Sequence, residues 1–195
     1  MRPPLFLGPR PGDKGDIEKR SDPGIIKAEK PKEIPDVKKP SVFKKTAIPE
    51  NVTREYLSSA IPGRGSVTYE DGYKVSGHRA EVAMAEWVHR TFGGDITLLK
   101  ESEIKGQTRA DFLWNERFWE LKGSATINGA DKALQHAIKQ ILDNPGGVIL
   151  NLSEDIDMPV LERQLASRIH RSKIEALDLM ILSKSELIKV LRYKK

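Results

Sequence analysis

From Gly77 onward the apolar residues switch repeatedly between helical and strand spacing. In HRAEVAMAEWVHRTF, 78–92, Glu81, Met84, Ala85 and Val88 share one helical face. Gly93–Gly94 ends that pattern. DITLLKES, 95–102, predicts a strand, and IKGQTR after it a loop. RADFLWN and RFWELKG, within 109–123, predict a hairpin. GADKALQHAIKQILDN, 129–144, predicts an amphipathic helix with Ala133, Leu134, Ala137, Ile138, Ile141 and Leu142 as its apolar stripe. GVILNLS, 147–153, is a continuous apolar run of the kind found in buried strands. MPVLERQLASRIHRS predicts another helix and ALDLMILSK another buried strand. SELIKVLRY predicts a short helix followed by an edge strand. The order α, β, β, β, α, β, α, β describes a mixed α/β sheet with helices on its faces.

Residues 1–62 contrast with this pattern. They hold ten of the twelve prolines and few large apolar groups. Such a stretch buries too little surface to offset its ordering entropy. The expectation is a Pro- and Lys-rich linker or disordered arm over 1–65 and a folded domain over 66–195, with a short helix possible at TREYLSSA, 53–60.

The formal charge is +5, but residues 1–50 carry +4 of it and residues 51–195 only +1. The isoelectric balance therefore does not by itself argue for a nucleic-acid partner. There is no cysteine, which excludes disulfides and thiolate chemistry. No run approaches the roughly 18 apolar residues of a membrane helix. The opening MRPPLFLGPRPGDKGD lacks the apolar core of a secretory signal.

The chemistry concentrates in the hairpin. A two-residue turn at Asn115–Glu116 sets Trp114 opposite Arg117, Phe112 opposite Trp119 and Asp111 opposite Glu120. Alternation then puts Glu120 and Lys122 on one face. Asn suits the first position of a type I′ turn, whereas Glu runs against the second, and a longer loop would shift the register. Two carboxylates this close repel unless one is protonated or a cation lies between them. A hard divalent ion such as Mg²⁺ accepts one or two carboxylates and keeps several waters. Lys122 would then be a positive charge beside a phosphate, or a group that orients the water. The bland alternative is a solvent-facing Glu120–Lys122 pair with Asp111 capping a turn.

Asp111, eight residues, then Glu-Leu-Lys at 120–122 resembles the core of the PD-(D/E)XK nuclease superfamily. So does the order αβββαβ. Ala110 stands where the superfamily's name has Pro. GYKVSGHRAEVAMAEWVHRTFGGDI, ADFLWNERFWELKG and NPGGVIL together resemble the C-terminal tRNase toxin domain of contact-dependent growth inhibition proteins and of phage-associated toxins. The resemblance spans about residue 70 to the end. It implies a metal-dependent endonuclease acting on tRNA or another nucleic acid. Asp111, Glu120 and Glu81 would be metal ligands, and Lys122 would complete the catalytic set. It also implies a divalent cofactor, Mg²⁺, and a cognate immunity protein. A host factor presenting tRNA would suit the near-neutral body. The place of action would be the cytoplasm of a producing or target cell, after delivery on a secreted or phage-borne toxin.

Gln135 and Lys139, at i and i+4, and Arg109 are candidate phosphate contacts. Further basic candidates are Lys105, Arg168, Arg171, Lys173, Arg192, Lys194 and Lys195. His78 and His136 are weaker candidates for general bases. Phe112, Trp114, Phe118 and Trp119 suit a core better than a base-stacking platform. A DNA nuclease of the same fold and a non-catalytic binding module are the alternative functions.

Overall fold

The structure, a computed structural model, describes residues 48–195. The expectations for 1–47 lie outside the described residues. Chain order is β1 (Glu50–Asn51), α1 (Thr53–Ser59), β2 (Val67–Tyr69), a 3-10 turn (Val75–Gly77), α2 (Arg79–Phe92), β3 (Ile96–Leu98), β4 (Phe112–Trp114), β5 (Arg117–Ser124), α3 (Ile127–Ile141), β6 (Pro145–Leu152), α4 (Met158–Arg171), β7 (Ala176–Ser183) and β8 (Glu186–Lys194). Among the described residues the strands form one mixed sheet, ordered β1-β8-β7-β6-β5-β4-β3-β2. β5, β6 and β7 run parallel, joined by α3 and α4, and β3, β4 and β5 form an antiparallel meander.

Alternation along the central strands builds a core on each face. Val148, Leu150 and Leu152 of β6 and Leu177, Leu179 and Ile181 of β7 pack with Leu134, Ile138 and Ile141 of α3 and Leu161, Leu165 and Ile169 of α4. Ile149, Met180 and Leu182 point the other way, into a cluster with Phe112, Trp114, Trp119 and the α2 residues Met84, Ala85, Val88 and Phe92. Each fully buried Leu or Ile contributes about 1.5–3 kcal/mol. α3 and α4 start where side chains satisfy orphan amides. The Thr126 hydroxyl accepts the Gly129 N–H at 3.0 Å, so α3 begins two residues earlier than the apolar pattern implies. Asp157 accepts the Val160 N–H at 3.1 Å and begins α4.

Three expectations are corrected. The boundary at 65/66 falls inside the fold, because β1 pairs with Leu191–Arg192 of β8, Val52 is buried and β2 pairs with β3. The segment 186–194 is a strand throughout. Lys184 and Ser185, both at positive φ, close a two-residue hairpin that turns β8 back along β7. The α3 stripe is rotated toward Ala130 and Asp131, and Leu142 is 38% exposed. Asp131 is tolerated in the core because the Arg168 guanidinium of α4 binds both its oxygens.

The hairpin register is the expected one: Phe112 opposes Trp119, Leu113 opposes Phe118 and Trp114 opposes Arg117. Asn115 and Glu116 take φ of 47° and 64°, so the turn is left-handed at both positions and Glu116 bears the strain. Gly146 and Gly147 of β6 make room for Trp119; a Cβ on either would come within 2.5 Å of the indole. No helix among the described residues is long and apolar enough to cross a membrane.

Candidate active site

The site forms where β4 and β5 part. β4 begins at Phe112, while β5 continues to Ser124 alongside β6. The edge of β5 facing β4 therefore has an unpaired N–H at Leu121, and the Asp111 carboxylate accepts it at 2.6 Å. In return, Glu120 Oε2 accepts the Asp111 N–H at 3.1 Å. The two carboxylates thus replace a rung of the ladder. The Lys122 ammonium donates to Glu120 Oε1. Asp111, Glu120 and Lys122 form one cluster, as the two-residue turn requires. The Asp111 carbonyl stays in the sheet, accepting the Leu99 N–H at 2.9 Å, which fixes its backbone from the β3 side.

Glu120 is fully buried and Lys122 about one-quarter exposed. Burial pushes the Asp111 carboxyl up to about 6; the Leu121 N–H opposes this and the Glu81 charge adds to it. Burial and the charge of Asp111 push Glu120 up to about 7, and Lys122 pulls it back. The pair therefore shares the cost of two buried charges with a single ammonium beside them. Such a pair favours either a proton or an added cation.

Glu81 is in the first turn of α2. It bonds His78 Nδ1 at 3.0 Å and accepts the Tyr73 hydroxyl at 3.2 Å. The bond to Glu81 raises the His78 imidazole above its ordinary value, against the opposing effect of burial. Burial and the Glu81 charge push the Tyr73 phenol well up. α2 packs on the face lined by Trp119, whereas Glu120 and Lys122 alternate away from it. Glu81 acts on Asp111 by its charge, but among the described residues no three His, Asp or Glu side chains converge as a ready-made ligand set. The structure thus brings together two of the three expected ligands.

The other candidates separate. Arg109 is committed to Glu70, at 3.0 Å, and its carbonyl accepts Gln140 Nε2 at 2.9 Å. Gln140 thus ties α3 to the segment that leads into β4. Lys139 lies about 100° round the helix from it. Lys139 and Gln135 instead line a depression of about 340 Å³ with Arg171 and Lys173, beside the Arg168–Asp131 pair. His136 and Lys105 are exposed. Arg192 is bound by Asp178 and Glu55. Lys195 donates to the Ser172 carbonyl, and Lys194 is exposed. Phe112, Trp114 and Trp119 are buried and Phe118 packs on the α3–α4 core. Tyr73, Glu70 and Gln140 had no signal in the local pattern, because their partners lie 8, 39 and 31 residues away.

The donor set suits a hard divalent ion that keeps most of its waters: two carboxylates, each with one oxygen anchored, and a neighbouring ammonium. No family model matches the chain, and no curated protein matches it. Among solved structures it is similar to a chain of a CdiA-CT/CdiI toxin and immunity complex from Burkholderia pseudomallei. The identity is 13% and the TM-score 0.42, covering 66% of this chain and 99% of that chain.

Proposed function

We propose that this chain is a metal-dependent endonuclease that hydrolyses RNA phosphodiester bonds, acting as a tRNA-cleaving toxin domain with a cognate immunity protein. The observation that carries the reading is the clustering of Asp111, Glu120 and Lys122 at the parting of β4 and β5. Their raised carboxyls are those of a pair in need of a cation. A bound divalent ion would polarise a phosphoryl oxygen and lower the pKa of a water.

The chain's own groups supply the rest. Asp111 and Glu120 are held by backbone amides, so they offer oxygens of fixed direction. Lys122 is tethered to Glu120, and its ammonium would offset the negative charge that grows on an attacked phosphate. Glu81 and His78 add a second acid–base pair near Asp111. The tRNA preference and the immunity partner follow from the resemblance of 70–195 to contact-dependent toxin domains.

The test is cleavage of a tRNA and of a DNA duplex of equal length, with Mg²⁺ or with chelator. Discrete RNA fragments that need the metal, with intact DNA, support the reading. Cut DNA with intact RNA moves the chain to the DNA nucleases. Intact RNA and DNA under every condition would sink it.

A further inference from the structure

Asp111 stands at the end of the long connection between β3 and β4, yet its side chain must meet Leu121 on β5 at a fixed angle. A connection of this length keeps much conformational freedom unless something closes it. Glu70 closes it at both ends. Its Oε2 accepts the Lys100 N–H at 2.8 Å, where the chain leaves β3. Both its oxygens also accept from Arg109 Nη1, at 3.2 and 3.0 Å, two residues before Asp111. One carboxylate thus clamps the loop 100–109 across its base.

The clamp is itself fixed. The Glu70 N–H donates to the Leu98 carbonyl at 2.9 Å and continues the pairing of β2 with β3. The Glu70 carbonyl accepts the Tyr73 N–H at 3.0 Å, closing a turn in which Gly72 takes a φ of 81°. Arg109 is held from its other side too, since its carbonyl accepts Gln140 Nε2 at 2.9 Å. The Glu70 and Arg109 side chains are 30% and 35% exposed, and a pair that open contributes little to stability. Its effect on the site is direction. Against burial, the Lys100 N–H and the Arg109 guanidinium hold the Glu70 carboxyl below its ordinary value, whereas Asp111 is pushed up to about 6. Glu70 is therefore charged at every pH at which Asp111 is.

We infer that Glu70 is a positioning residue: by clamping Lys100 and Arg109 it sets the direction of the Asp111 carboxylate, toward the Leu121 N–H and toward the ion that Asp111 and Glu120 would hold. The role toward the ion rests on the nuclease reading; the clamp on Asp111 does not. Groups behind metal ligands commonly carry a tenfold or larger share of metal affinity. Glu70 works through the backbone rather than through a bond to the ligand, so the lower end of that range applies.

The experiment compares the full parent chain with Glu70→Ala, Glu70→Gln and Glu162→Gln. The last is the control: it removes the charge from the Glu162–Lys189 pair of α4 and β8, whose side chains are 24% and 28% exposed. Two quantities are read: hydrogen exchange of the Leu121 amide at pH 7 in chelator, and Mn²⁺ affinity by calorimetry at pH 8. Glu70→Ala should speed exchange at Leu121 about tenfold and weaken Mn²⁺ binding about tenfold. Glu70→Gln keeps an acceptor for the Lys100 N–H but loses the charge facing Arg109. It should show smaller changes of the same sign, and it carries the test if Glu70→Ala does not fold. Glu162→Gln should keep parental values of both, even where its Tm falls as far. Parental exchange or parental Mn²⁺ affinity in the Glu70 variants overturns the proposal, as do equal losses in Glu162→Gln. A parent that takes up no Mn²⁺ removes the nuclease reading alone. Leu121 exchange then decides for Glu70: faster in the Glu70 variants only upholds its hold on Asp111, and parental exchange overturns it.

Discussion

Replacing Asp111 with Asn should stabilise the metal-free protein, and the gain should depend on pH in a fixed way. The carboxyl titrates at 3.8 in its ordinary state and is pushed up to about 6 in the fold, first by burial. A raised carboxyl means that the folded state holds its proton more tightly than the unfolded state does. The penalty is therefore absent below about pH 4, grows between about 4 and 6, and is complete above that. A displacement of this size corresponds to about 3 kcal/mol. Asn keeps an oxygen for the Leu121 N–H and carries no charge, so it removes the penalty without losing the anchor. In a domain of this size 1 kcal/mol moves Tm by roughly 2–4 °C. The variant should melt on the order of 6–12 °C above the parent at pH 8, and together with it near pH 4. Thermal melts by circular dichroism across pH 4–8, in chelator, read the difference. Coincident melts at pH 8, or a parent that outlasts the variant there, would refute the view that the buried Asp111 charge costs the metal-free fold stability. Saturating Mn²⁺ should close the gap by stabilising the parent alone, by about 2.7 kcal/mol at a hundred times the dissociation constant.

Four further outcomes are expected. Lys122→Met, which keeps the stem and drops the charge, should lower stability at pH 8 by on the order of 3 kcal/mol, since it leaves the buried Glu120 without its cation; a denaturant melt measures it. Asp131→Ala should cost about 3 kcal/mol by denaturant titration, because it leaves Arg168 unpaired against the core, and an unchanged midpoint would count against that pair. Glu116→Gly should raise stability by about 1 kcal/mol through relief of its left-handed backbone, visible as a higher Tm. Tyr193→Phe should be neutral or stabilising by about 1 kcal/mol, since the buried hydroxyl has no partner among the described residues; a marked loss on thermal melting would reveal one.

The parts of the fold that rest on local pattern were legible in the sequence. α2, α3 and α4 follow helical spacing, and the β4–β5 register follows from a two-residue turn. That register alone was enough to join Asp111, Glu120 and Lys122, because opposition across a hairpin and alternation along a strand leave little freedom. What escaped depends on distant partners. Leu187, Val190 and Leu191 recur at helical spacing, yet β7 recruits them as a strand. β1 is two residues long and exists only because β8, some 140 positions on, offers its edge. Asp131 breaks an apolar stripe and is explained only by Arg168, 37 residues later. The position of Glu81 was readable from helical spacing, but its engagement with His78 and Tyr73 depends on how the chain enters α2.

The central claim is that Asp111 and Glu120 hold a divalent ion on which RNA cleavage depends. Calorimetric titration of Mn²⁺ into the full chain at pH 8, with Asp111→Asn and Glu120→Gln titrated alongside, tests it most directly. The account predicts one ion per chain in the parent, affinity at least tenfold weaker in each variant, and cleavage of tRNA that disappears with the ion. Equal binding by parent and variants, or cleavage that persists in chelator, would contradict it.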